Sequence, residues 1–344
     1  MALPSSLPAF ARHIILRRRP VGVPTPDCFA LSQTPMPRPG QGQMLVRMLV
    51  GSVDPAIRGF LDDRPSYLPP VALGAPINGM SLGQIVESHH PDWPVGDYVR
   101  VFATWSDHFV IGPDALGLER VTPAADVPLR SYMGALGPVG LTAWVGLFAV
   151  GEAKAGETVL VSAAAGATGS TVVQLAKAAG CRVVGMAGGA DKAQVLRELG
   201  ADAVVDYRAV EDDLGAALDA AAPEGFDVYF DNIGGPTLDA ILPRMREKGR
   251  IPLCGMIAQY NDADHPYGVQ NLWQMVVKRV TMRGFLTYDH AERLGEAQAM
   301  LDRLHKAGQL RPLENVHHGF ERLPEAFIAL MQGKTTGKTL VAMA

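Results

Sequence analysis

Apolar positions along this 344-residue chain change their rhythm near residue 135 and again in the tail. From about residue 40 to 120 they fall in short β-like runs, MLVRMLVGS, SLGQIVES, DYVRVF and SDHFVIG, separated by Pro, Gly and Asp. Such spacing predicts a compact, largely β domain. Beyond residue 135 strand-like and helix-like patterns alternate. TVLVS precedes a helix to Gly180, CRVVGM a helix to Gly200, AVVDY a helix to about Ala222, and FDVYFD a helix over PTLDAILPRMREKG; RIPLC and VTMRGFL follow. Six strands with helical crossovers predict an α/β fold with a doubly wound parallel sheet. The tail departs from this rhythm, with helix-like HAERLGEAQAMLDRLHKAGQL and PEAFIALMQG and a closing run KTLVAM that can return to the first domain as a strand.

The stretch TVLVSAAAGATGS, residues 158–170, carries the most chemistry. A buried-strand pattern opens into a turn of small residues containing Gly166 and Gly169 and ending at Ser170, and VVQLAKAAG continues at helical spacing. A turn without bulky side chains lets the backbone approach a pyrophosphate, and the helix N-terminus meets the anion with free N–H groups. The first glycine of the usual G-x-G-x-x-G is Ala164 here, so the strand before the turn and the helix after it supply the specificity.

The second strand of this unit, CRVVGM, ends in Ala187-Gly188-Gly189 without the acidic residue that accepts hydrogen bonds from an NAD ribose. Small residues at the strand tip leave room for a 2′-phosphate, and Lys192 supplies a positive charge, so NADP(H) is the expected cofactor. A formal charge of −4 offers no basic surface for nucleic acid, and Arg17-Arg18-Arg19 reads as a solvated edge. No run of eighteen apolar residues marks a membrane span, and the N-terminus lacks the charged-then-apolar order of a signal peptide; a soluble, cytoplasmic protein is expected. Cys28, Cys181 and Cys254 are too dispersed for a local metal motif, and His89-His90 reads as an exposed loop, so no metal is assigned.

RRPVGVPTPDCFAL, SVDPAIRG, PSYLPPVALG, GPVGLTAW, VSAAAGATGS, FDNIGGP, CGMIAQYN, GFL and GKTLV, in this order, resemble the zinc-independent medium-chain dehydrogenase/reductases. Within them the chain is similar to the leukotriene B4 dehydrogenase/prostaglandin reductase group, with its plant double-bond reductases and curcumin-reductase-like enzymes. The resemblance implies a β-rich, GroES-like substrate domain over residues 1–134 and 306–344, a Rossmann NADP-binding domain over 135–305, and cofactor and substrate in the cleft between them. It also implies a homodimer. By the same resemblance, Gly166, Ala167, Thr168, Gly169 and Ser170 hold the pyrophosphate, and Gly188, Lys192 and Tyr207 the 2′-phosphate. Asn232, Cys254, Gly255, Ile257, Tyr260, Phe285, Leu286, Thr287 and Thr335 line the ribose and nicotinamide. Two departures stand out: the tyrosine of the relatives' VDPYMR is Ala56, which bears on substrate choice, and the asparagine of their GENLGKT is Thr335.

The zinc-dependent relatives carry a G-H-E motif and an early cysteine, whereas the corresponding segments here, GMSLGQIVES and SVDPAIRG, offer no ligand set. Conjugate addition to an activated alkene then follows more readily than direct carbonyl reduction, and it requires a hydrogen-bond donor for the enolate oxygen and a proton for the α-carbon. Tyr260 is the first candidate, and Tyr67 in PSYLPP the second. Trp105, Met133, Trp273 and Leu286 are candidates either for the apolar lining of a hydrophobic enone or enal site or for ordinary core. Quinone reduction and non-catalytic nucleotide binding remain the alternatives.

Overall fold

A computed structural model describes residues 6–210, 213–262 and 264–343. The chain forms two compact units. Of the described residues, the first comprises 6–133, Asn315–Thr335 and 339–343; the second comprises those within Gly134–Glu314 and Thr336–Lys338.

Antiparallel pairing builds the first unit. Its main sheet runs in the spatial order Glu314–His318, Lys338–Ala342, Met44–Ser52, Asn78–Ser88, Tyr98–Thr104, Glu119–Val121, with His108–Ile111 also on Met44–Ser52. Met44, Val46, Met48, Ile85, Val99, Val101, Phe109 and Ile111 pack into one core cluster. Phe10–Leu16, the strand expected beside Arg17-Arg18-Arg19, forms a separate antiparallel pair with Phe29–Pro35. SVDPAIRG turns into the short helix Ile57–Phe60, and Phe60 bridges two rings, edge-on to Tyr67 at 5.3 Å and to Phe102 at 6.2 Å. Trp105 and Met133 are core residues.

The second unit holds a six-stranded parallel sheet in the order Ala203–Asp206, Arg182–Ala187, Thr158–Val161, Phe226–Phe230, Met245–Leu253, Thr281–Gly284. Counted along the chain this is 3-2-1-4-5-6, the Rossmann order. Its crevice opens where the order reverses, between Thr158–Val161 and Phe226–Phe230. All four residues of Thr158–Val161 are buried, as a strand covered on both faces must be. Leu160, Val184, Val205, Phe226, Tyr229, Leu238, Ile241 and Ile251 form the core beneath it.

One expected element is shorter than its pattern. The helix anticipated over PTLDAILPRMREKG stops at Ile241, a single 3₁₀ turn covers Leu242–Arg244, and Met245 already begins the fifth strand. Pro243 cannot continue an α-helical ladder, which explains the stop. In the opposite direction, GPVGLTAWVGLF adds an α-helix at Pro138–Trp144 followed by a π-helical turn at Val145–Val150.

Candidate active site

The small-residue turn folds as its composition requires. Ala163 is held at a φ of 46°, Ala164 N donates to Met186 O at 2.9 Å, and Gly166 caps the helix Ala167–Ala178 without any side-chain acceptor. The first turn of that twelve-residue helix therefore presents unpaired N–H groups. A Cβ on Gly169 would stand 2.4 Å from Ala163 O and 2.7 Å from Ala164 Cα, so only glycine lets the helix lie this close to the turn. Ala167–Ser170 are thus the first turn of the helix rather than the loop before it. The Ser170 hydroxyl is buried and donates to Ala167 O at 3.1 Å.

Strand register assembles a second cluster. Asp206 pairs with Ala187 in the parallel sheet, which sets Tyr207 and Arg208 beside Gly188 and Gly189. A Cβ on Gly188 would stand 2.6 Å from the Tyr207 hydroxyl and 2.9 Å from Arg208 Nε. Asp206 is turned inward, accepting from Gly189 N at 2.8 Å and Arg208 N at 3.1 Å, and the Gly189 bond leads in holding its carboxyl below the usual range. Lys192, on the first turn of the helix Ala190–Glu198, is pulled below the usual lysine range, first by burial and then by the positive charge of Arg208. Two cations close enough to repel, over a glycine and a phenol, suit a multiply charged anion. Arg208 escaped the sequence reading; its signal was only its place directly after Tyr207, and the sheet register is what gives that place meaning.

The third cluster lies at the crevice. Asn232 Nδ2 donates to Ser162 O at 2.7 Å and Asn232 N to Ser162 Oγ at 2.9 Å. Ile257 N reaches Asn232 O at 3.3 Å and Ala258 N reaches Ile233 O at 3.1 Å, so Asn232 and the short helix Ile257–Tyr260 are tied together. The Tyr260 hydroxyl accepts from Met256 N at 3.3 Å and lies 3.2 Å from where a Gly255 Cβ would be. Burial raises its pKa above the ordinary phenol value. The Cys254 thiol is pushed up to about 12, by burial and then by Asp231, which keeps it protonated and unreactive at neutral pH. Phe285 packs edge-on against Phe230 at 6.4 Å, and Thr287 Oγ1 meets Thr142 Oγ1 at 2.9 Å. Leu286 and Trp273 are exposed.

Tyr67 and Thr335 belong to the first unit. Tyr67 is 59% exposed and Thr335 is buried. Among the described residues, no three His, Cys, Asp or Glu side chains gather so as to hold a metal ion, and no helix is long and apolar enough to cross a membrane.

The three clusters fit the three parts of a dinucleotide phosphate: open helix amides for the pyrophosphate, paired cations for an extra phosphate, and an amide with a phenol beside the crevice. A family model described as the N-terminal domain of oxidoreductase matches residues 12–121, and one described as zinc-binding dehydrogenase matches residues 167–306. The NADPH-dependent curcumin reductase of Escherichia coli is 38% identical over 341 residues, covering 97% of each chain. The NADP(+)-dependent 2-alkenal reductase of Nicotiana tabacum is 40% identical over 304 residues, covering 88% of each. The crystal structure of CurA from Vibrio vulnificus in complex with NADPH superposes with a TM-score of 0.89 at 38% identity, over 97% of this chain and 99% of that one. On this evidence the chain belongs to the medium-chain dehydrogenase/reductase family, in the group of the prostaglandin, curcumin and alkenal reductases.

Proposed function

We propose that this protein is an NADPH-dependent reductase of the carbon–carbon double bond in α,β-unsaturated ketones and aldehydes, acting as a cytoplasmic homodimer on small hydrophobic substrates. The observation that carries the reading is the Tyr260 phenol. A phenol is protonated at neutral pH and burial raises its pKa further, and Tyr260 sits on a loop bonded directly to Asn232 at the crevice.

In this reading the amides of Ala167, Thr168 and Gly169 bind the pyrophosphate from the helix N-terminus, with Gly166 and Ser170 framing the turn. Gly188, Lys192, Tyr207 and the added Arg208 bind the 2′-phosphate. Asn232, Cys254, Gly255, Ile257, Phe285, Leu286, Thr287 and Thr335 line the ribose and nicotinamide. Bound NADPH supplies the two-electron equivalent that enters at the substrate β-carbon. Charge then collects on the substrate carbonyl oxygen, where the Tyr260 hydroxyl donates a hydrogen bond, and a proton completes the α-carbon. Tyr67, the second candidate donor, stands on Phe60 with its ring largely solvated.

Removing one donor of this kind costs about 10²–10³ in turnover. The deciding experiment is steady-state NADPH oxidation with cyclic enones, linear alkenals, diarylheptanoids and benzoquinone, with products identified. Saturated ketone or aldehyde from the first three classes is expected. Turnover confined to benzoquinone would replace this reading with quinone reduction, and no turnover on any of them would leave a nucleotide-binding protein.

A further inference from the structure

We infer that Asp231, acting with Ser162 and Tyr229, is a positioning residue that fixes Asn232 and the Tyr260 loop relative to each other; this rests on the cofactor reading above. Asp231 follows the strand Phe226–Phe230 directly and Ser162 follows Thr158–Val161, so the two flank the point where the sheet order reverses. Asp231 is fully buried. Its Oδ1 collects four donors: the Tyr229 hydroxyl at 2.6 Å, Ile233 N at 2.8 Å, Gly234 N at 2.9 Å and Ser162 Oγ at 3.2 Å.

Each donor has a separate consequence. The two amides close the turn after Asn232, where Gly234 and Gly235 take φ of 67° and 56°. Ser162, its hydroxyl held by Asp231, accepts the Asn232 backbone N–H at Oγ and the Asn232 side-chain amide at its main-chain carbonyl. The Asn232 amide is thereby set in one orientation, and among the described residues no donor meets its Oδ1. On the other side, the Asp231 carbonyl accepts from Cys254 N at 2.8 Å and Gly255 N at 3.2 Å, the start of the loop that ends in Tyr260. One buried residue thus ties two strand ends to both crevice groups.

The remaining oxygen, Oδ2, is buried and finds no hydrogen-bond partner among the described residues. A fold that needed only a well-packed strand end would be served by an apolar residue, because a buried acceptor without a donor is unfavourable. Retaining a carboxyl here follows if its other oxygen organises the site, and burial accordingly pushes its pKa up.

The test measures NADPH dissociation constants by fluorescence, together with kcat, KM for an enone and the melting temperature. Asp231→Ala and Ser162→Ala are each expected to raise the NADPH dissociation constant about tenfold, the loss of one buried hydrogen-bonding group. Asp231→Asn, which keeps an acceptor at Oδ1, should stay within about threefold of wild type by the same arithmetic. In an Asn232→Ala background, Ser162→Ala should add less than about twofold, since Ser162 acts on the cofactor through the Asn232 side chain that is then gone. KM for the enone should move little while kcat falls. Unchanged affinity in Ser162→Ala and Tyr229→Phe, or full additivity with Asn232→Ala, overturns the proposal even if Asp231→Ala does not fold. A wild-type protein that binds no NADPH removes the cofactor reading and this inference with it, an outcome visible before any variant is made.

Discussion

Gly188 and Tyr207 meet so closely that a methyl group on the glycine would stand 2.6 Å from the phenol oxygen. The obstacle is the far end of a side chain that is 39% exposed, so it can swing aside. Gly188→Ala should therefore leave the melting temperature almost unchanged while weakening NADPH about tenfold by displacing Tyr207 and Arg208. Gly169→Ala faces backbone instead, at 2.4 Å from Ala163 O. Nothing there can yield, and a loss of about 1–3 kcal/mol in stability is expected. Thermal unfolding and NADPH titration of the two variants separate a local effect from a global one.

Lys192 and Arg208 should divide the selectivity between NADPH and NADH. A charge-assisted hydrogen bond to a phosphate contributes roughly 1.5–3 kcal/mol, so either alanine variant should weaken NADPH by about tenfold to a hundredfold with little effect on NADH. Equal losses for both nucleotides would remove the residue from the 2′-phosphate site. Dropping the Arg208 charge should also let the Lys192 pKa rise, because that charge is one of the two causes holding it down.

Tyr260 predicts a pH dependence with a definite sign. Its folded-state pKa lies above the ordinary phenol value, with burial the main cause. The proton is therefore present throughout the neutral range, and turnover should fall only on the alkaline side, above about pH 10. The same shift links to stability: the contribution is complete below the unfolded pKa and is lost as pH rises through the folded one. Tyr260→Phe should lower kcat about 10²–10³-fold and abolish the alkaline limb. A variant with wild-type kcat would show that the hydroxyl takes no part.

Thr281–Gly284 ends the parallel sheet as an exposed edge strand, and the preceding helix leaves Trp273 and Val276 69% and 63% exposed. An open strand edge beside apolar side chains is the kind of surface a second copy covers. Light scattering should give a dimer for the wild type and a monomer for Val276→Glu. A monomeric wild type would refute the homodimer.

How much was legible in the sequence depends on whether a feature is local. The strand–turn–helix at Thr158–Ala178 could be read because each part signals itself: a buried apolar run, small residues, then helical spacing. Only the second half of the Met245–Leu253 strand was legible, as RIPLC; its first half was hidden, since Arg246, Glu247 and Lys248 interrupt the apolar pattern and the helical period before it runs past Pro243. Arg208 was hidden for a different reason. Its neighbour Gly188 is twenty residues away, and only the pairing of Asp206 with Ala187 joins them. Asp231 was visible as a letter in FDNIGGP, but four donors converging on one of its oxygens is a property of three dimensions.

Gly337 couples the nucleotide turn to a segment distant in the chain. Its N–H donates to Ala165 O at 2.8 Å within the nucleotide turn, and a Cβ there would stand 2.3 Å from Leu313 O. Neighbouring residues 315–335 and those from 339 on complete the first unit. One short stretch of chain thus serves both units, so a change at Gly337 that displaces it should weaken nucleotide affinity and loosen the antiparallel sheet together.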